Sequence, residues 1–171
     1  PAAHPAAAGS CGSRLSRFGV LAPIDMTLHA MTHLFYGGEM DDALRELADI
    51  DALLRHFGER ECAFWEQFWP RAQALALARP AYYGLRYASR LLGTPVPGAV
   101  LAASCAGAPA RVVVAAMDRL VPEALFPAHP DHPRSWSAFA RLLLYVRAHW
   151  VRMPPWRLIR HLAHKARVRH G

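Results

Sequence analysis

Asp25-Met26-Thr27-Leu28-His29-Ala30-Met31-Thr32-His33-Leu34-Phe35-Tyr36-Gly37-Gly38 is the stretch whose reading decides the fold. Successive residues of an α-helix turn by about 100°, so Asp25, His29 and His33, at i, i+4 and i+8, line one stripe. Pro23 suits a first-turn position, and the Asp25 carboxylate favours the positive end of the helix dipole. Gly37-Gly38 supplies the stop, because glycine takes the left-handed conformation that closes a helix. The spacing predicts a helix over 23–36.

Outward from that helix the same logic repeats. Asp41 or Asp42 caps a second helix, whose Ala43, Leu44, Leu47, Ile50, Leu53, Leu54 and Phe57 recur at i, i+3, i+4 spacing and which Gly58 ends. A third segment, Glu59 to about Arg79, carries Phe64, Trp65, Phe68 and Trp69, and Pro70 is expected to bend or divide it. Pro80 opens a fourth helix with Tyr83, Tyr87, Leu91 and Leu92 on its buried side, and Gly93-Thr-Pro95-Val-Pro97-Gly98 breaks it. Ala99 to Cys105 and Pro109 to Val121 read as helical, although Val112-Val113-Val114 also suits a short strand. The proline-studded run Pro122 to Pro133 is expected to hold no regular structure. Arg134 to Arg152 forms a long helix, Met153-Pro154-Pro155 interrupts it, and Trp156 to about Arg169 forms the last. Almost nothing alternates with period two. The fold class is therefore all-α, an antiparallel array of about six to eight helices joined by short turns.

Residues 1–22, with Gly9, Gly12 and Gly19 and no sustained periodicity, read as a linker or the remnant of an upstream domain, and 23–171 as one helical domain with a basic carboxyl-terminal hairpin. Because the chain begins at Pro1 and not at methionine, it is expected to be a piece of something longer. The 171 residues, 53% apolar, suffice for one core without staples. Cys11, Cys62 and Cys105 are odd in number and far apart, which argues against a disulfide framework or zinc ribbon; Cys62 and Cys105 are expected to fill core space. No signal peptide is apparent, and the longest apolar run, Ala99 to Ala110, falls short of the roughly 20 residues of a membrane span. A cytoplasmic chain is expected.

Charge is divided unevenly. Ten acidic residues lie between Asp25 and Glu66 against Arg45, Arg55 and Arg60, whereas no acidic residue follows Asp131 and nine Lys and Arg do. Such a tail suits phosphate, a lipid surface or the acidic half of its own protein. Arg152, Arg157, Arg160 and Lys165 are the candidate anion-binding residues. Tyr145, Trp150 and Trp156 interleave with arginines as in surfaces that bind nucleic acid or anionic membrane, and a hairpin with core aromatics and solvated arginines is the plainer alternative.

His29, His33, Asp49 and Asp51 form the candidate functional polar cluster. Two histidines at i, i+4 can direct their rings to one metal with Asp25, Asp49 or Asp51 in support, or can be hydrogen-bonded at a helix interface. Asp49 and Asp51, two apart on a helix, point in different directions and make a poor magnesium pair. The helical wheel puts Asp51 beside the apolar arc and Asp49 outward, within reach of Arg45. Gly12-Ser13 followed by Asp25-Met-Thr27 imitates a turn-and-carboxylate pattern but lacks the second acid. No catalytic residue and no metal ligand is assigned within this chain, although a metal-dependent hydrolase centred on the two histidines remains an alternative to test by elemental analysis.

With PIDMTLHAMTHLF, LRELADIDALL, WPRAQALAL, LLGTPVP and MPPWRLIRHLAHKAR in that order over about 20–167, the chain resembles the carboxyl-terminal helical region of the bacterial uncharacterised nucleotidyltransferase family. The resemblance implies an amino-terminal nucleotidyltransferase-like fold with a Gly-Ser turn and acidic ligands for magnesium, lying upstream of these helices. It also implies a nucleoside triphosphate and an acceptor as partners of the complete protein. His29 and His33 match the family's L-H-x-x-x-H helix, Asp49 the Asp of the next helix, and Arg71-Ala72 the Arg-Ala of the third. The alternative is a non-enzymatic helical module that binds nucleic acid or anionic membrane through its basic tail.

Overall fold

A computed structural model of the chain describes residues 20–125, apart from positions 38, 39, 41 and 62, and residues 135–152, with backbone alone at 135, 151 and 152. Within these residues the fold is entirely helical, as the periodicity predicts. The helices are α1 (Pro23–Gly37), α2 (Ala43–Arg60), α3 (Phe64–Ala74), α4 (Ala78–Leu92), α5 (Gly98–Ser104), α6 (Arg111–Leu125) and α7 (Ser135–Arg152). A single 3-10 turn, Cys105–Gly107, follows α5. The valine triplet is helical. Among the described residues no single helix is long and apolar enough to cross a membrane.

The core is organised around α4. Pro80 to Leu85, Tyr87 and Ala88 are all buried, so this helix is covered on nearly every side. It packs against α1, α2, α3, α5 and the 3-10 turn, while α1–α2 and α6–α7 pair as neighbours and α7 also touches α1. Leu91 is 39% exposed and Leu92 half-buried, so the buried surface of α4 ends before the last turn and does not follow the single face that spacing suggests. Where α1 crosses α4, Met31 lies against Gly84 so closely that a Cβ on Gly84 would overlap its side chain. Beside that contact Phe35 stacks near Tyr83 and Tyr87, with centroids at 5.5 and 5.8 Å, and the two tyrosine rings lie 6.1 Å apart and nearly parallel. Such ring pairs add to the burial of each side chain.

Several boundaries differ from the sequence reading for identifiable reasons. Gly58 does not stop α2, which continues to Arg60; its missing side chain instead leaves room for the Trp65 indole. Asp42 occupies the N-cap of α2 without a side-chain cap bond, and Asp41 lies outside the described residues. Pro70 is carried inside α3, and the chain turns only after Ala74. There the Leu77 amide donates to the Ala72 carbonyl at 2.8 Å and the Ala76 amide to Gln73 at 3.0 Å, with Ala76 at φ 56°. This is a Schellman closure with alanine in the seat that glycine usually fills. Pro80 then falls in the first turn of α4, where its absent N–H costs nothing. The chain passes through Pro122 to Leu125 because Val121, Ala124 and Leu125 are buried and hold the last turn of α6; residues 126–134 lie outside the described residues. Cys105 is exposed and does not fill the core, since it sits on the 3-10 turn with its thiol directed to the Leu101 carbonyl. Cys11 and Cys62 lie outside the described residues.

Adding side-chain volume where α1 and α4 touch should be costly. Gly84→Val is expected to lower stability by about 1–3 kcal/mol through overpacking against Met31, read as a reduced midpoint in urea unfolding.

Candidate functional site

Hydrogen bonds between helices divide the polar residues of α1 and α2 into two groups. On α1, His29 and His33 both face outward. The His33 side chain is 68% exposed and reaches across to α2, where its Nδ1 lies 3.2 Å from Glu46 Oε1. A carboxylate only accepts, so Nδ1 carries the proton and Nε2 is left toward solvent. Glu46 Oε2 is buried and has no partner. Asp49 is exposed and lies one turn beyond Glu46 on the same flank of α2, and among the described residues no ion pair joins it to Arg45. Of these residues His33 and Glu46 are in contact, while His29 and Asp49 are exposed on α1 and α2.

Asp51 belongs elsewhere. It projects from the opposite flank of α2 and accepts from Arg55 Nε at 2.8 Å and from the Thr94 hydroxyl at 2.5 Å. Arg55 also donates to the Leu92 carbonyl at 3.1 Å. Together these bonds tie the loop after α4 to α2, and Gly93, at φ 66°, provides the left-handed residue from which the loop departs. The wheel placed Asp51 correctly as the inward acid. Its partners were not visible locally because Thr94 is 43 residues away.

Asp25 is held by Arg71 in a two-pronged pair, Nε to Oδ1 at 2.7 Å and Nη2 to Oδ2 at 2.8 Å, which fastens α1 to α3. The guanidinium keeps the Asp25 carboxyl below its ordinary range. Asp25 therefore shares a stripe with His29 and His33 in spacing only; its charge is turned to a neighbouring helix.

Another carboxylate, absent from the sequence reading, is the most heavily engaged. Asp118 on α6 accepts from Arg86 Nε and Nη2 at 2.9 and 2.6 Å, from Arg90 Nη1 at 2.8 Å and from the Tyr87 hydroxyl at 3.2 Å. These bonds, Arg86 first among them, bring its pKa down to about 2. Tyr87 is pushed well above the ordinary tyrosine range by burial and by the Asp118 charge. Arg147 on α7 donates to the Tyr83 hydroxyl at 3.1 Å and lies 5.1 Å from that ring's centre. The only sequence signal for this network was the i, i+4 spacing of Arg86 and Arg90.

Among the described residues, no three His, Cys, Asp or Glu side chains converge on a point that could hold a metal ion. The magnesium implied by the resemblance therefore finds no fitting donor set here: Asp49 and Asp51 lie on opposite flanks, and Asp51 is committed to Arg55 and Thr94. Arg152 ends α7 with its side chain undescribed, and Arg157, Arg160 and Lys165 lie outside the described residues.

The sequence profile of the uncharacterised nucleotidyltransferase family matches residues 8–93, half of the chain. The chain belongs to this family. The nucleotidyltransferase match takes in α1 to α4 and closes at Gly93, so the His33–Glu46 contact, the Asp25–Arg71 pair and Asp49 fall within it. Asp118, Arg147 and α5 to α7 fall beyond it. No curated protein and no solved structure matches the chain.

The Asp118 network gives a pH signature. Its folded-state pKa is depressed from 3.8 to about 2, so its stabilising effect is complete above 3.8 and fades as pH falls toward 2. Asp118→Asn should cost about 2 kcal/mol at neutral pH. The gap between variant and parent, followed by urea unfolding across pH, should close in that acid window.

Proposed function

We propose that this chain serves nucleotidyl transfer from a nucleoside triphosphate to an acceptor, with its helices completing the cleft and holding the acceptor. The observation that carries this reading is the family match across α1–α4, which includes the L-H-x-x-x-H helix and Asp49. In this reading the nucleotide and magnesium sit in a nucleotidyltransferase domain that precedes these helices. The reaction joins an acceptor hydroxyl or amine to the α-phosphorus, expels pyrophosphate and requires a base for the acceptor's proton.

The α1–α2 surface has chemistry suited to the acceptor side. His33, oriented by its Nδ1 contact with Glu46, presents Nε2 as a hydrogen-bonding nitrogen toward an acceptor. His29 and Asp49 are further exposed polar groups on α1 and α2. Asp25 and Arg71 act on the site by fixing α1 against α3, and Asp51 by fixing α2 against the loop after α4.

The test compares this chain with the same chain joined to the sequence encoded upstream of Pro1, using labelled nucleoside triphosphates. Transfer by the longer polypeptide alone is expected. Equal activity from both would overturn the division of labour. Within the active form, His33→Ala and Asp49→Asn should lower turnover by about tenfold or more with unchanged melting temperatures, because both side chains are exposed. Full turnover in both variants would remove both residues from the site.

A further inference from the structure

Asp25, Asp51 and Asp118 are each met by arginine, whereas Glu46 meets a histidine. The two ends of that contact are unequal. The Glu46 side chain is only 27% exposed, with Oε2 buried and without a partner, while the His33 side chain is 68% exposed. Glu46 lies in the first turn of α2, where the positive end of the helix dipole supports its charge. The acid is thus anchored in the fold and the imidazole stands at its surface.

As a fastening between helices this contact does little. Exposed ion pairs contribute little to stability, and a buried carboxylate oxygen left without a donor is destabilising. Helices α1 and α2 already pack as neighbours, each with apolar residues sunk in the common core. What the contact does settle is the state of the ring. Glu46 Oε1 only accepts, so it holds the proton on His33 Nδ1, and in the neutral ring Nε2 then carries a lone pair. A lone pair suits an approaching O–H or N–H, and it repels an oxyanion.

We propose that Glu46 is the positioning residue of the acceptor side: held by α2, it keeps His33 in the Nδ1–H form and aims the Nε2 lone pair at an acceptor that donates a hydroxyl or amine hydrogen. The acceptor in this proposal rests on the nucleotidyl-transfer reading; the state of the ring does not.

Long-range proton–nitrogen correlation NMR of the full chain, labelled in histidine, separates rings protonated at Nδ1 from rings protonated at Nε2, and His33→Ala identifies the His33 signals. At about pH 8.5, roughly two units above the ordinary histidine value, His33 should be found in the Nδ1–H form. A free histidine side chain prefers Nε2–H, and Glu46→Leu should return His33 to it. Because that change removes an unpaired buried oxygen, the melting temperature should hold or rise. In the polypeptide joined to its upstream sequence, Glu46→Leu should lower turnover by about tenfold or more. The proposal would be overturned by Nε2–H in the parent, by Nδ1–H persisting in Glu46→Leu, or by full turnover in that variant. No transfer by the unsubstituted longer polypeptide, with both ring forms as expected, would overturn the nucleotidyl-transfer reading instead.

Discussion

The contact of α1 with α4 at Met31 and Gly84 is the constraint on which the rest of the structure depends. Absence of a side chain at one position lets two helices approach closely, and that approach brings Phe35 onto the paired rings of Tyr83 and Tyr87. With α1 seated, α2 and α3 have only the remaining sides of α4 to cover, and the residues buried from Pro80 to Leu85 show that they cover them well. Burial of this kind is without direction, so by itself it would leave the helices free to slide and rotate.

Paired charges remove that freedom. Asp25 pins α1 to α3 through Arg71, Asp51 pins the loop after α4 to α2 through Arg55 and Thr94, and Asp118 pins α6 to α4 through Arg86 and Arg90. Each carboxylate is partly exposed and meets a donor fork or a hydroxyl with good geometry, so each contributes orientation more than gross energy. The bases in these clamps, Arg55, Arg71, Arg86 and Arg90, all precede α7, so the clamps do not draw on the basic residues that follow Asp131. Outside these clamps, His29, His33 and Asp49 stay exposed on α1 and α2.

Helix class and most helix positions were legible because apolar spacing and glycine or proline punctuation report directly on local backbone preference. The reading of α1 shows this well, from Pro23 to the glycine after Tyr36. It failed where a residue served tertiary contact and not chain geometry. Gly58 looks like a terminus but makes room for Trp65, and Ala76 closes α3 in a conformation that its side chain gives no hint of. The candidate cluster divided for the same reason. A wheel separates Asp49 from Asp51 correctly, yet nothing within a few residues of His33 announces Glu46 as its partner, and Asp118 lies 32 residues from Arg86. Partners that distant become neighbours only once α4 is in the middle.

Pro70 has a bearing on how the molecule assembles. Lacking an amide hydrogen, it leaves the Glu66 carbonyl without its helical donor in the middle of an 11-residue helix. Helices so short are marginal even with every rung of their ladder intact. What holds α3 is external to it: Phe64, Phe68 and Trp69 sunk into a surface that α1, α2 and α4 must already have made, and Asp25 waiting for Arg71. Helix α3 should therefore be a late arrival on the folding pathway, its coil imposed by the surroundings and given up first when they loosen.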